Sequence, residues 1–178
     1  MDTKLDSVTR LFHWSCALLI VGMLGTGFVM TYNDYIPNLY YLHKSFGIIV
    51  AVLILARLLW KLKSPWRSSA ENTANEKLVS GVHKLLIVLM VAMPITGLML
   101  SGFGGYSLHL FDWVLVPKNF NAAGEIVPYS QSLYAVGSTL HEIIGYTLSF
   151  FVTLHILASL KHHFVEKDDT LKRMLGRA

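Results

Sequence analysis

The last long apolar stretch of the chain, residues 138–163, most strongly limits what this sequence can fold into. It is long and apolar enough to cross a bilayer, yet it contains His141 and His155, fourteen residues apart. On an α-helix this spacing is about four turns, so both imidazoles point to one side at two depths. Ionisable residues inside a membrane segment are costly and usually functional. The stretch therefore predicts a transmembrane helix with two histidine sites on one face.

Small side chains accompany both histidines on this face. Counting by threes and fours gives a stripe of His141, Gly145, Leu148, Val152, His155, Ser159 and His162. The small members leave room for a flat, bulky group beside each imidazole. The alternative is that each histidine hydrogen-bonds a neighbouring helix or extends toward the headgroups. Two histidines at this spacing, with other membrane histidines available to pair with them, favour ligation.

The rest of the chain has the composition of an integral membrane protein. Of its 178 residues, 53% are hydrophobic and only 15% are charged, whereas about a quarter are charged in a typical soluble domain. Three further runs are long enough to span a bilayer, at residues 11–30, 40–60 and 82–101. With 138–163 they predict a single all-α membrane domain over residues 1–178, a four-helix transmembrane bundle.

The longest connection, residues 102–137, precedes the fourth span. Within it, YSLHLFDWVLV is predicted to form a short amphipathic helix on the membrane surface, with His109 at the interface. This connection, which also contains Trp113 and Phe120, is suited to serve as a lid or as a docking surface.

Basic residues predict the orientation of the bundle. Four spans place both termini on one side, and that side carries thirteen of the fifteen lysines and arginines. The other side has only Lys44 and Lys118. Because positive charge is enriched in cytoplasmic segments, both termini are predicted to be cytoplasmic. The net charge of +4 is then explained by the membrane, and no nucleic-acid partner is expected.

This orientation pairs the histidines by depth. His13 begins the first span and lies near the inner face, whereas His43 begins the second span near the outer face. The fourth span enters from outside, so His141 is outer and His155 is inner. The predicted pairs are therefore His43 with His141 and His13 with His155.

Two histidines at each depth suit haem iron better than zinc, which normally has four protein ligands or three and a water. The chain has one cysteine, Cys16, which excludes a CxxCH attachment. Any haem is then held by coordination alone, as haem b. With two axial imidazoles the iron has no open position, so such a site transfers electrons. A metal transporter is less favoured because no acidic pathway lines the spans, and no catalytic residue is predicted.

Further polar residues lie near the inner face. Arg57 falls at the depth of the inner haem, either as a partner of a haem propionate or as an arginine that extends to the headgroups. His83 begins the third span and is a candidate contact for a quinone or a competitor of His13 for the inner haem. His162 and His163 are predicted to lie in the headgroup region, where a quinone also reaches.

Ordered motifs along the whole chain carry a family resemblance. RLFHW opens the first span, LHKSFG opens the second, and RLLWKLKSP ends it. HKLLIVLMVAMPITGLML forms the third span, and LHEIIGY, HHF and KDDTLKRM follow in the fourth span and the tail. This ordered set resembles the bacterial cytochrome b561 family of small di-haem membrane cytochromes.

The resemblance implies a four-helix bundle in the bacterial inner membrane, with two b haems that exchange electrons with the ubiquinone pool. It also implies that His13, His43, His141 and His155 are the haem ligands. One branch of the family oxidises superoxide outside the membrane and reduces ubiquinone, and this chain is similar to it. Related cytochrome b subunits instead serve hydrogenases or formate dehydrogenases. Two functions remain open: transfer from a small periplasmic donor such as superoxide to ubiquinone, or service as a carrier subunit that docks a partner redox protein.

The charge of the outer segments bears on this choice. Lys44 and Lys118 are outnumbered by four carboxylates, giving a net of −2: Asp34, Asp112, Glu125 and Glu142. An anionic donor is attracted by positive charge, so superoxide requires a local positive patch. Lys44, next to His43 in the chain, is placed to contribute to one.

Overall fold

The structure, a computed structural model, describes residues 5–33, 35–65 and 76–177. Asp34, one of the carboxylates counted for the outer segments, lies outside these ranges. Lys4 and Arg67, counted among the basic residues of the opposite side, also lie outside them.

Four long helices make up most of the described chain: α1 (Ser7–Tyr32), α2 (Pro37–Lys63), α3 (Glu76–Phe103) and α4 (Gln131–Lys161). The first three each contain one of the apolar runs and extend beyond it, whereas α4 begins before the fourth run and ends at Lys161, two residues before that run does. All four are long and apolar enough to cross a membrane, with the fourth span counted through Glu166. The prediction of an all-α, four-helix membrane bundle is confirmed.

Local signals in the sequence set the helix starts. The Asp6 carboxylate caps α1 by accepting a hydrogen bond from the Thr9 N–H at 2.8 Å. The Thr9 hydroxyl donates a second hydrogen bond to this carboxylate, and that bond is the main reason why the pKa of Asp6 lies below its usual value. Pro37 occupies the start of α2, where its missing N–H costs nothing. Ser130 caps α4 by accepting from the Leu133 N–H at 3.5 Å.

The helices pack as two pairs. α1 packs along α2, and α3 packs along α4, while α1 and α4 meet at only a few positions. One apolar cluster joins the two pairs: Cys16, Ile20, Val50, Ile54, Leu86, Leu89, Met90 and Leu148. Leu148 lies midway between the two histidines of α4, so this cluster forms an apolar layer between two levels of the bundle.

α3 and α4 approach each other closely at Gly137. A Cβ at this position would lie 2.7 Å from both the Leu100 backbone nitrogen and the Met99 Cβ. Only glycine therefore fits, and the contact, one turn before His141, brings that histidine against α3.

The connection between α3 and α4 contains a β-hairpin where the sequence pattern predicts an amphipathic helix. Strand β1 (Leu108–Leu110) pairs antiparallel with β2 (Trp113–Val116), with His109 opposite Val114. Phe111 in the turn has a φ of 51°, in the left-handed region. The prediction of a helix is wrong. The apolar pattern is too short to distinguish the period of a helix from that of a strand, and contacts with α2 select the extended form.

The chain ends beside the start of α1. A π-helical turn (His162–Glu166) follows α4 and leads to α5 (Thr170–Leu175). The Trp14 indole N–H donates a hydrogen bond to the Met174 carbonyl at 2.9 Å. We call this end of the bundle the terminal end, and the opposite end, which carries β1 and β2, the hairpin end.

Candidate functional site

The histidine stripe of α4 faces the interior of the bundle. All its members are buried or half-buried: His141, Gly145, Leu148, Val152, His155, Ser159 and His162. Flanking residues such as Glu142, Ile143, Leu154 and Ile156 are exposed. The two imidazoles therefore project from the same face toward the other helices.

His43 of α2 and His141 of α4 meet toward the hairpin end. Their ring centres lie 6.5 Å apart, with the ring planes at 82°. Metal–nitrogen bonds of about 2 Å, with each ring centre a further ~1 Å behind its nitrogen, put opposed axial imidazoles roughly 6 Å apart. The observed separation fits two axial ligands of one metal.

A threonine on α1 fixes the protonation of the His43 ring. The Thr26 hydroxyl donates to the Met23 carbonyl at 2.9 Å and lies 2.8 Å from His43 Nδ1. Because its one proton is used on Met23, Thr26 accepts a hydrogen bond from Nδ1–H. This tautomer leaves the Nε2 lone pair for a metal.

The same arrangement recurs at His141. The Thr96 hydroxyl donates to the Met93 carbonyl at 2.9 Å and lies 3.1 Å from His141 Nδ1. The Met93 carbonyl, which only accepts, is itself 3.2 Å from that nitrogen, so Nδ1 carries the proton. Gly97 leaves room for the ring, since a Cβ there would lie 3.1 Å from His141 Cε1.

Three histidines meet toward the terminal end. The ring centres of His13 and His155 are 6.4 Å apart, close to the separation of the hairpin-end pair. The His83 ring centre is 5.4 Å from that of His155. The structure therefore brings the sequence-predicted pair together and places His83 beside it.

The surroundings of His13 and His83 differ. Arg57 Nη2 lies 3.4 Å from His13 Nδ1, and because a guanidinium only donates, that nitrogen accepts. The backbone of Val79, one turn earlier on α3, lies close enough to His83 to act on its ring. Arg57 thus lies beside the His13–His155 pair, where its guanidinium would be available to an anionic group of a haem held there.

His162 ends the stripe in a different environment. Its Nδ1 lies 2.6 Å from Asp168 Oδ2 and 2.7 Å from Glu166 Oε2. The ring is therefore held by carboxylates of the π-helical turn and the segment after it, rather than by another histidine.

The spacing of the histidine pairs suits a planar group at each level. None of His13, His43, His141 and His155 is fully buried, although all four belong to the facing sides of the helices. α1 and α4 touch at only a few positions. The ring-centre separations of the two pairs, 6.5 Å and 6.4 Å, fit an iron porphyrin.

Basic groups gather at the hairpin end. Lys44 Nζ donates to the Ser107 carbonyl at 3.0 Å. Burial lowers the pKa of His109, and the charges of Lys44 and Lys118 lower it further. Both lysines are therefore close enough to His109 for their charges to act on it.

Sequence reasoning misses Thr26 and Thr96. Threonine in a membrane helix commonly bonds a carbonyl of its own helix, as Thr147 and Thr153 do on α4. The presence of a threonine in a membrane helix therefore does not by itself predict a contact with a histidine. Only the packing of α1 on α2, and of α3 on α4, shows that these two hydroxyls also reach a histidine.

Comparisons with known proteins agree with these observations. The family model of prokaryotic cytochrome b561 matches residues 4–177. Cytochrome b561 homolog 2 of Escherichia coli (strain K12) is 31% identical over 177 residues, covering 96% of this chain and 90% of the relative. Probable superoxide oxidase CybB of Yersinia pestis is 29% identical over 189 residues, covering 99% of this chain and 98% of the relative.

The family match carries two consequences for this chain. It implies haem b binding, which agrees with the opposed imidazoles, and it agrees with the four membrane-spanning helices. The chain therefore belongs to the prokaryotic cytochrome b561 family of multi-pass bacterial membrane electron-transfer proteins.

Proposed function

We propose that this protein transfers electrons across the inner membrane, from a small periplasmic donor to ubiquinone, with two b haems. The observation that carries the proposal is the opposed histidine pair at each level, with ring centres 6.5 Å and 6.4 Å apart. His43 and His141 hold the haem at the hairpin end, and His13 and His155 hold the haem at the terminal end. When bound, such haems supply one-electron transfer without an open coordination position.

The distribution of basic residues supports a cytoplasmic terminal end. Thirteen of the fifteen lysines and arginines belong to that side of the sequence. Residues 1–178 then form one membrane domain with both termini in the cytoplasm. The hairpin end, with Lys44 and Lys118, faces the periplasm.

At the hairpin end, hydrogen bonds to Thr26 and Thr96 hold the imidazoles in one tautomer. Each threonine oxygen accepts from an Nδ1–H, which raises the basicity of Nε2 and fixes the ring orientation. The two ligands are thereby preorganised before a metal is present.

Local charge supports superoxide as the small donor. Lys44 and Lys118 both act on His109, so two positive charges lie close together here, although carboxylates are in excess in the outer segments. A positive patch raises the local concentration of an anion. Superoxide releases only dioxygen when it gives up its electron, so no proton has to be handled at this face. The name of the Yersinia relative, a probable superoxide oxidase, agrees with this donor.

Polar groups at the terminal end support ubiquinone as the acceptor. Quinone reduction consumes protons as well as electrons, and His83 lies at the level of the His13–His155 pair. We assign His83 to hydrogen-bond the quinone headgroup. Arg57 pairs with a haem propionate, an anion that attracts a guanidinium more strongly than the neutral His13 ring does.

The reaction of the isolated holoprotein with superoxide tests the proposal. Rapid-mixing absorbance should show haem reduction by superoxide, with ubiquinone reoxidising the haem. Lys118→Gln should slow reduction about two- to tenfold and weaken its dependence on ionic strength. The matched control is Lys167→Gln, the same change beside the terminal end, which should leave the rate unchanged.

Failure of superoxide to reduce the isolated holoprotein would exclude this donor. Reduction only after addition of a partner dehydrogenase or hydrogenase would assign the protein to the second class, the carrier subunits. If Lys118→Gln and Lys167→Gln changed the rate of haem reduction equally, positive charge at the hairpin end would not attract the donor.

A further inference from the structure

The hairpin covers a side of α2 that is open to lipid farther along the helix. Ser45 under the hairpin is 0% exposed, whereas Val52 and Leu59 are 63% and 68% exposed. These residues are seven apart, which returns to nearly the same side of a helix. His43, two residues before Ser45, points roughly 200° away, toward the interior. The hairpin therefore lies against the lateral surface of the bundle rather than over its end.

Side chains of α2 provide hydrogen-bond partners for the hairpin backbone. The buried Ser45 hydroxyl accepts from the Phe111 N–H at 2.9 Å, and Lys44 Nζ donates to the Ser107 carbonyl at 3.0 Å. Backbone groups at membrane depth have no water and must find partners in the protein. These contacts meet that requirement at the turn and just before β1.

The contact with α2 lies deep enough to reach the bilayer. α2 has 27 residues, a length of about 40 Å against a hydrocarbon thickness of roughly 30 Å. Ser45 is eight residues beyond Pro37, or about 12 Å along the axis. If α2 is centred in the membrane, Ser45 lies roughly 7 Å inside the hydrocarbon.

β2 presents an apolar outer surface. Trp113, Val114 and Leu115 are 70%, 56% and 46% exposed. Phe111 packs edge-on against Phe46 of α2, with ring centres 5.8 Å apart. The apolar surface of the hairpin is therefore continuous with the surface of a membrane-spanning helix. Tryptophan beside apolar residues is typical of a membrane–water interface.

We propose that the hairpin inserts into the leaflet at the hairpin end, with lipid as the occupant of the exposed face of β2. The headgroups and upper acyl chains then surround Trp113, Val114 and Leu115, and the hairpin anchors the adjacent end of α2. The proposal depends on the membrane fold and not on superoxide or ubiquinone, so its test is independent of the proposed function. A partner protein or a second copy of the chain on this face is the competing occupant.

Site-directed spin labelling of the holoprotein tests this insertion. A nitroxide is attached at Leu115→Cys, and the fully buried native Cys16 is checked for labelling in the parent protein. In phosphatidylcholine vesicles, collisions with dioxygen report lipid exposure, and collisions with a water-soluble nickel chelate report water. The matched control is Ala123→Cys, in an exposed polar segment of the same connection. Haem spectra identical to the parent's establish that both variants are folded.

Lipid insertion predicts a dioxygen-to-nickel collision ratio several-fold higher at Leu115→Cys than at Ala123→Cys. A ratio equal to or below that of the control would place β2 in water and overturn the proposal. Protection of Leu115→Cys from both reagents would show that protein covers the face, which also overturns it. If Leu115→Cys does not fold, Val114→Cys, next to it on β2, provides the same comparison.

Discussion

The hydroxyl of Thr26 on α1 lies 2.8 Å from Nδ1 of His43 on α2. Helix packing thereby sets the tautomer of His43, because Thr26 already donates to the Met23 carbonyl and accepts the hydrogen bond from Nδ1–H. Thr96 and His141 repeat the relationship between α3 and α4. Each helix pair thus supplies one histidine at the hairpin end and the hydroxyl that orients it.

Thr26→Val should leave both haems bound but change the potential of one. Losing the acceptor at Nδ1 makes the imidazole a weaker donor to iron, so the potential of that haem should rise. A hydrogen bond of about 1 kcal/mol corresponds to a few tens of mV for one electron. Spectroelectrochemical titration measures this shift.

The control for this change is Thr31→Val on the same helix. The Thr31 hydroxyl donates to the Gly27 carbonyl of its own helix, in an exposed position, so both potentials should stay at parent values. Equal potentials in Thr26→Val and the parent would show that the hydroxyl does not tune a haem ligand.

Gly97→Ala should disturb only the haem at the hairpin end. The added Cβ would lie 3.1 Å from His141 Cε1 and 3.4 Å from Nδ1, so the ring must move. One haem should become partly high-spin, and stability should fall by roughly 1–3 kcal/mol. Low-temperature EPR and thermal unfolding measure these effects.

Gly81→Ala on the same helix is the matched control, since its Cβ would meet no atom within 4 Å. It should leave both haems low-spin. The assignment of His141 as a ligand fails if Gly97→Ala and Gly81→Ala have indistinguishable haem spectra.

Two histidines compete for the position opposite His155, and their variants should differ. His13→Ala should convert the haem at the terminal end to a high-spin form or release it, because an axial ligand is lost. His83→Leu should keep both haems low-spin and slow electron exchange with ubiquinone about tenfold or more. Absorbance spectra and quinone kinetics separate the two outcomes. The reverse pattern would make His83 the ligand.

His109 should make the docking of the hairpin sensitive to pH. Burial and the charges of Lys44 and Lys118 lower its pKa below 6.5 in the folded protein, so the unfolded chain binds the proton more readily. This contribution to stability is complete above about pH 6.5 and is lost as the pH falls through the lowered folded pKa. The His109 ring also stacks on the Tyr41 ring, with ring centres 4.7 Å apart.

Thermal unfolding at pH 7.5 and 5.5 tests this linkage. The parent should lose more stability between these values than His109→Gln, and its Tm should therefore fall further. Groups present in both proteins contribute equally to both losses, so the difference between the losses reports the titration of His109. Identical losses in both proteins would show that His109 titrates normally.

The sequence predicts the bundle and its histidine levels because both depend on local properties. Hydrophobic length defines the spans, and the helical period places His141 and His155 on one face. The hairpin could not be predicted because its short apolar segments fit the period of a helix as well as that of a strand. The extended form is stabilised by a contact distant in sequence, the hydrogen bond from the Phe111 N–H to the buried Ser45 hydroxyl. Thr26 escapes because its contact with His43 arises only from the packing of α1 on α2.

The central claim is that opposed histidine pairs hold two b haems in each chain. Haem content per chain tests it most directly, by pyridine haemochrome assay against protein concentration from amino-acid analysis. The account predicts two haems per chain, both low-spin and both extracted by acid–acetone. One haem per chain, or haem that remains on the protein after extraction, would contradict it.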